Sequence, residues 1–236
     1  MTDWHVHIGQ WFNSYNDAGN VFAQLKTAGI DEVWFSSTTS ECYCTESLAV
    51  QENEKLRKTL PTPFELYELI RYEIQEALSA ADKIGIKAHP LYWVVPEIHF
   101  SGVATVADAM ESLPYEGFKI HPRGNPWNLN DSKTVALAEE VFFYAETHRL
   151  LTLIHCGTDE FELPTKFELY IAASPHATIQ IAHSRPLKET LYMLRKYPNT
   201  VCDSAFVPPQ VQEAIRTAGF ANRMRYGSDY PITPTT

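Results

Sequence analysis

The chain has 236 residues, 44% hydrophobic and 20% charged, a composition that allows one large buried core. Its formal net charge of −10 comes without a basic stripe, which excludes nucleic acid as an expected partner, and no apolar run is long enough to span a bilayer. The opening Met1-Thr2-Asp3-Trp4-His5 lacks the basic and apolar regions of a signal peptide, so a cytoplasmic location is expected.

Apolar runs of period two alternate with segments of period 3.6, the pattern of repeated β-α units. A strand is expected over residues 2–7, a helix over 17–28 and a second strand over 32–37. The polar stretch 38–61 is longer than an ordinary βα connection and reads as an elaborated active-site loop. It holds Cys42-Tyr43-Cys44, which lacks the second cysteine pair of a structural metal site; all four cysteines read as reduced thiols. Thr62-Pro63-Phe64-Glu65 then opens a helix over 63–84 with a capping box. Beyond it come a strand at 86–94, a helix at 103–112, a strand at 117–121, a helix at 132–148 and a strand at 151–155. The series ends with a helix at 161–173, a strand at 178–183, a helix at 187–197, a strand at 200–203, a helix at 209–218 and a strand at 223–226.

Eight strands and seven helices fit a single α/β domain over 1–236, a (β/α)8 TIM barrel lacking its eighth outer helix. The seven residues after Asp229 are too few and too proline-rich to form that helix. A doubly wound open sheet would carry a glycine-rich first turn, whereas Ile8-Gly9-Gln10-Trp11 follows the first strand here. Because His5 and His7 face inward, alternation turns Trp4, Val6 and Met224 outward at the uncovered seam. A second subunit, giving a homo-oligomer, or the 38–61 segment is expected to cover it.

The candidate chemistry lies at the strand ends. His5 and His7 stand two apart on the first strand and share a face, so both can reach one ion. His155 and His183 end the fifth and sixth strands, and Asp229 follows the eighth. Three histidines and a carboxylate make an N3O shell suited to zinc, with manganese or iron as alternatives, and leave a position open for water. A cation so bound lowers the pKa of water to about 7.

Asp3-Trp4-His5-Val6-His7-Ile8-Gly9, Gly117-Phe118-Lys119-Ile120-His121-Pro122, Leu153-Ile154-His155-Cys156-Gly157, Ile181-Ala182-His183-Ser184 and Tyr226-Gly227-Ser228-Asp229-Tyr230-Pro231 resemble motifs of the amidohydrolase superfamily, in its family 2 branch. The resemblance implies a barrel whose metal is held by His5, His7, His155 and Asp229, with His183 a further ligand or an acid/base. Asp229 would then move a proton and His183 would stabilise developing charge. In binuclear relatives a fourth-strand lysine is carboxylated and bridges two ions; Lys119 matches it, but His121 lies nearer the catalytic end and leaves Lys119 deep, which favours one metal.

His89 and His121, read as strand-end residues, are candidate pocket groups, with Trp93, Tyr92 and Trp127 as an aromatic wall. Arg123 and Arg185 follow strand ends, where a guanidinium fork could clamp a substrate carboxylate. The functional expectation is hydrolysis of a C–O or C–N bond in a small molecule such as a lactone, ester or amide. Non-oxidative decarboxylation of a carboxylate by the same shell is the alternative, and a metal-binding protein without catalysis is a third reading.

Overall fold

A computed structural model describes residues 1–11, 14–43, 61–125 and 127–232, so most of the long 38–61 segment, Cys44 included, lies outside the described residues. Strand β1 (Thr2–Trp11) pairs antiparallel with β2 (Ser14–Asn16). The Asp17 carboxylate then accepts the Asn20 N–H and caps α1 (Ala18–Thr27), whose buried Ala18, Val21, Phe22 and Leu25 fall at helical spacing. Strand β3 (Glu32–Ser37) leads into a 3-10 segment (Thr38–Tyr43). Helix α2 (Pro63–Ile84) opens with both bonds of the Thr62/Glu65 capping box and buries Leu66, Ile70, Ile74 and Ala77.

The units that follow are β4 (Lys87–Trp93), α3 (Pro96–Phe100), α4 (Val106–Glu111), β5 (Gly117–Ile120), α5 (Ser132–His148) and β6 (Leu151–Ile154). The helix expected over 161–173 is instead two 3-10 turns, Glu160–Glu162 and Pro164–Phe167, followed by a short α6 (Glu168–Ala172). Pro164 cannot donate inside a helix, so the run restarts there. Then come β7 (Thr178–Ile181), α7 (Leu187–Lys196), β8 (Thr200–Asp203), α8 (Pro209–Ile215) and β9 (Met224–Arg225). No helix follows β9 among the described residues, and no described helix is long and apolar enough to cross a membrane.

The sheet is mixed and nine-stranded, in the order β2-β1-β3-β4-β5-β6-β7-β8-β9, parallel throughout except for β1–β2. Its far end returns to β1: the Trp4 N–H donates to Tyr226 O (2.9 Å), His7 N–H to Tyr230 O (2.8 Å) and Asp229 N–H to His5 O (2.8 Å). One face carries Val6, Val33, Phe35, Phe118 and Ile179 into a core shared with Phe22, Leu66, Ile74 and Phe142. Burying each such side chain contributes about 1.5–3 kcal/mol, enough to hold helices whose own propensity is modest.

The opposite face carries Leu91, Leu151 and Leu153 with Trp4 and Trp34. Trp4 therefore faces inward, not outward as alternation implied. The β1–β3 ladder shifts register between Asp3 and Val6, which breaks strict period two, and the Trp4 ring stacks on Trp34 at 5.0 Å under the Arg225 guanidinium at 3.7 Å. Val6 does point outward and is buried, and Met224 is half-buried against the main core.

Candidate metal centre

Parallel strands deliver their C-terminal ends to one rim, and the polar groups collect there. His5 and His7 come from β1 and Lys119 from β5, while His121, His155 and His183 follow β5, β6 and β7 directly. Asp203 ends β8 and Asp229 follows β9. All are buried. His183, Ser184, Phe206 and Asp229 have positive φ (62°, 46°, 54° and 61°), four of the five such non-glycine residues among those described. That strain gathers where side chains must be aimed, and surrounding contacts over-determine it.

One carboxylate oxygen is the focus. Asp229 Oδ1 lies 3.0 Å from His5 Nε2 and 3.0 Å from His7 Nε2. The outer nitrogens are held as well: His5 Nδ1 is 3.2 Å from Asp203 Oδ2, and His7 Nδ1 is 3.2 Å from Ser36 Oγ. Asp203 also accepts the His183 and Ala205 N–H groups (2.9 and 3.1 Å) and Gln180 Nε2 (3.0 Å), so one buried carboxylate locks β1, β7 and the β8 loop together. His183 Nδ1 is 3.2 Å from Ala205 O, and its Nε2 faces His155 Nδ1 at 3.1 Å. Glu162 Oε1 stands 3.4 Å from His155 Nε2.

Burial dominates the titration behaviour. It drives His7 and His183 down to about 4 and His155 and His121 well below the usual histidine range, so these rings are neutral at pH 7. Burial and Lys119 push His5 the same way, but Asp229 and Asp203 outweigh them and its pKa is raised. Burial pushes Asp229 up while His5 and His7 hold it well below the carboxylate range, and the Lys119 ammonium is lowered by burial.

Several expectations need correction. Lys119 is not too deep: its Nζ reaches 2.9 Å from His5 Nε2, because a lysine stem spans the two-residue offset from His121. His89 does not reach the cluster. Strand β4 runs on to Trp93, which leaves His89 near the opposite end, stacked on Trp34 at 4.4 Å and paired with Glu32 (2.9 Å) and Glu116 (2.7 Å). Arg123 is engaged within the chain, its guanidinium paired with Glu162 (2.7 and 3.0 Å) and Asp159 (2.5 Å) and not held out toward the cluster. Arg185 stays exposed at the rim, its Nε donating to Cys156 O at 2.8 Å. His121 does join the site, stacked between Trp93 (5.1 Å) and His155 (3.8 Å). Tyr92, on the other face of β4, packs on Tyr115 and His99, and Trp127 packs on Phe167.

Sequence reasoning missed Asp203, Glu162 and Glu41. Asp203 had one usable signal, its place at a strand end beside the predicted histidines; the other two sit on irregular segments where periodicity says nothing.

No family model and no curated protein matches the chain. Solved structures do. A Staphylococcus aureus protein assigned as an amidohydrolase aligns over 98% of this chain and 88% of its own, with TM-score 0.63 and 10% identity. A 2,6-dihydroxybenzoate decarboxylase in complex with 2,6-dihydroxybenzoate aligns over 98% and 88%, with TM-score 0.58 and 12% identity. A dihydroxybenzoic acid decarboxylase from Polaromonas sp. JS666, with bound manganese and 2-nitroresorcinol, aligns over 98% and 86%, with TM-score 0.57 and 11% identity. The chain has the amidohydrolase-superfamily fold. On that fold the donor set present here fits a divalent cation. The ligand atoms of His5, His183 and Asp229 lie within 4.8 Å of one another. The outer nitrogens of His5 and His7 are tied to Asp203 and Ser36, the outer-shell arrangement that orients ligating imidazoles. With the His183 Nδ1 proton directed to Ala205 O, its Nε2 lone pair faces the cluster, 3.1 Å from His155 Nδ1, and is available to a cation.

Proposed function

We propose that the chain is a metal-dependent enzyme of amidohydrolase family 2, its sheet closed as a (β/α)8 barrel, acting on a C–O or C–N bond of a small molecule. The observation that supports it is the convergence of His5 Nε2 and His7 Nε2 on Asp229 Oδ1, with both outer nitrogens held from behind. His5, His7, His155 and Asp229 would hold the cation, with His183 as a further ligand or acid/base and Lys119 a ligand only in a two-metal site. Zinc suits the nitrogen-rich set, and manganese occurs in a decarboxylase of the same fold.

When bound, the cation supplies Lewis acidity and brings the pKa of water to about 7. The chain's own groups do the rest. Asp229, kept ionised by His5 and His7, accepts a proton from the attacking water and returns it to the leaving atom. His183, neutral and aimed by Ala205 O, bonds to developing negative charge. Trp93 and the His121 ring wall one side, and Phe206 lies parallel to the His183 ring at 5.9 Å.

The second reading is non-oxidative decarboxylation, favoured by the hydroxybenzoate decarboxylases among the structural neighbours. There Asp229, once protonated, would deliver its proton to the carbon that loses carbon dioxide. Metal analysis of purified protein, followed by a panel of lactones, esters, amides and aromatic carboxylates, separates the readings. Acid release from neutral substrates supports hydrolysis and carbon dioxide release supports decarboxylation. Stoichiometric metal with no turnover on any panel member would favour a binding role. Turnover surviving in metal-depleted Asp229→Asn protein would refute both catalytic readings.

A further inference from the structure

We propose that Glu41 is a substrate-facing hydrogen-bond donor of this site, recognising together with His121 an anionic oxygen of the bound molecule, such as that of a carboxylate. The inference rests on the reading of the cluster as a substrate site and adds to it a residue on the 3-10 segment after β3.

The segment is anchored so that Glu41 reaches inward. Asn125 Nδ2 donates to Ser40 O at 3.0 Å, and Asn125 Oδ1 in turn accepts the Trp93 indole N–H at 2.7 Å. Space is left for the carboxyl: a Cβ on residue 124 would lie 2.6 Å from Glu41 Oε1, so the glycine there admits it. The Glu41 side chain is 11% exposed, its Oε1 is buried without an aligned hydrogen-bond partner, and that oxygen lies 3.3 Å from His121 Nε2. His121 Nδ1 accepts the Gly124 N–H at 2.7 Å, which puts the ring's own proton on Nε2, the edge it shares with Glu41. Beyond that long contact with His121, Glu41 Oε1 has no aligned hydrogen-bond partner among the described residues, so the carboxyl can take up a further one from a bound molecule.

Among the described residues, the titratable groups around it are His121 and Lys119 from β5 and its loop, and Asp229 beyond β9. Arg123 is turned away to Glu162 and Asp159. Burial pushes Glu41 up to about 8, Lys119 pulling it down and Asp229 pushing it further up, so at pH 7 the carboxyl keeps its proton and donates. An O–H donor bonds strongly to a carboxylate oxygen, whereas an ionised glutamate would repel it. With Arg123 neutralised, this supplies anion recognition that the expected guanidinium clamp does not.

Two measurements test the assignment. Infrared titration of the metal-free protein should show a carboxylic-acid carbonyl band that disappears between about pH 7 and 9 and is missing in Glu41→Gln. No such band in the wild type, or the same band in Glu41→Gln, overturns the assignment. This arm needs no substrate, so a wrong choice of reaction leaves it intact. Calorimetry with 2,6-dihydroxybenzoate gives the second arm: wild-type affinity should fall about tenfold per pH unit above about 8. Glu41→Gln, whose amide still donates, should bind without that dependence. Glu41→Leu, of similar size and without a donor, should lose at least about tenfold at pH 7. Identical pH profiles for wild type and Glu41→Gln overturn the recognition role.

Discussion

Asp203→Asn is the most informative single perturbation, because the two carboxylate oxygens do different work. Oδ1 accepts two backbone N–H groups, from His183 and Ala205, and an asparagine carbonyl can replace it. Oδ2 accepts from Gln180 Nε2 at 3.0 Å and from His5 Nδ1 at 3.2 Å. An amide NH2 in that place meets two donors, so two charge-assisted bonds are lost at about 1.5–3 kcal/mol each, or about 3–6 kcal/mol in all. His5 can recover only by moving its proton to Nε2 and accepting at Nδ1. The proton then points at Asp229, and the nitrogen meant for a cation is occupied. Metal affinity should therefore fall about 10- to 100-fold, the cost usual for an outer-shell partner. The assay is metal titration followed by spectroscopy of stoichiometry, with a urea melt on the same samples. A variant that binds zinc and manganese as tightly as wild type, while melting earlier, would refute the tautomer argument and leave Asp203 a purely structural group.

Three further outcomes are expected. Gly9→Ala should destabilise by at least about 1–3 kcal/mol in a urea melt, since Gly9 has φ +85° and the added Cβ would lie 2.6 Å from Ser37 Oγ and 2.9 Å from Glu73 Oε2; an unchanged midpoint would mean the hairpin relaxes freely. Arg123→Met should cost about 1–3 kcal/mol, reduced from the buried-pair range because the guanidinium is about a third exposed, by leaving the buried Glu162 with only the long contact to His155. It should weaken charged and neutral ligands alike, and selective loss of a charged ligand would restore the clamp. Finally, metal-free protein should lose stability as pH falls from about 6.5 toward 4. His7 and His183 have folded pKa values near 4, below the unfolded 6.5, so their contribution is present above 6.5 and lost on acidification; His121 and His155 act in the same direction. His5, raised, works the other way but is outnumbered. Denaturation midpoints equal at pH 7.5 and 5 would contradict this.

Legibility followed the range of the interactions. The helices Pro63–Ile84 and Ser132–His148 and the strands Glu32–Ser37 and Thr200–Asp203 begin and end where the pattern placed them, because caps and hydrophobic period are written within a few residues. The His5/His7 pair was readable for the same reason, since a period of two needs only the strand itself.

Other features were decided by partners distant in sequence. Arg123 is tied down because Glu162, 39 residues away, comes to 2.7 Å. His89 became a structural residue because β4 continues to Trp93 and carries the rim past it. Trp4 turned inward because a register shift against β3 interrupted alternation that the sequence of β1 alone presents as unbroken. Asp203 and Glu41 are ordinary acidic residues in the sequence, and burial beside His5 and His121 alone gives them chemistry. By itself, then, the sequence determined the order of the β-α units and the residue types at the strand ends, which local backbone preference and periodic burial encode. Tertiary structure decided which of those groups meet, which charges cancel and which protons stay. Hydrogen-bond partners and desolvation are properties of the packed neighbourhood and not of the chain's local order.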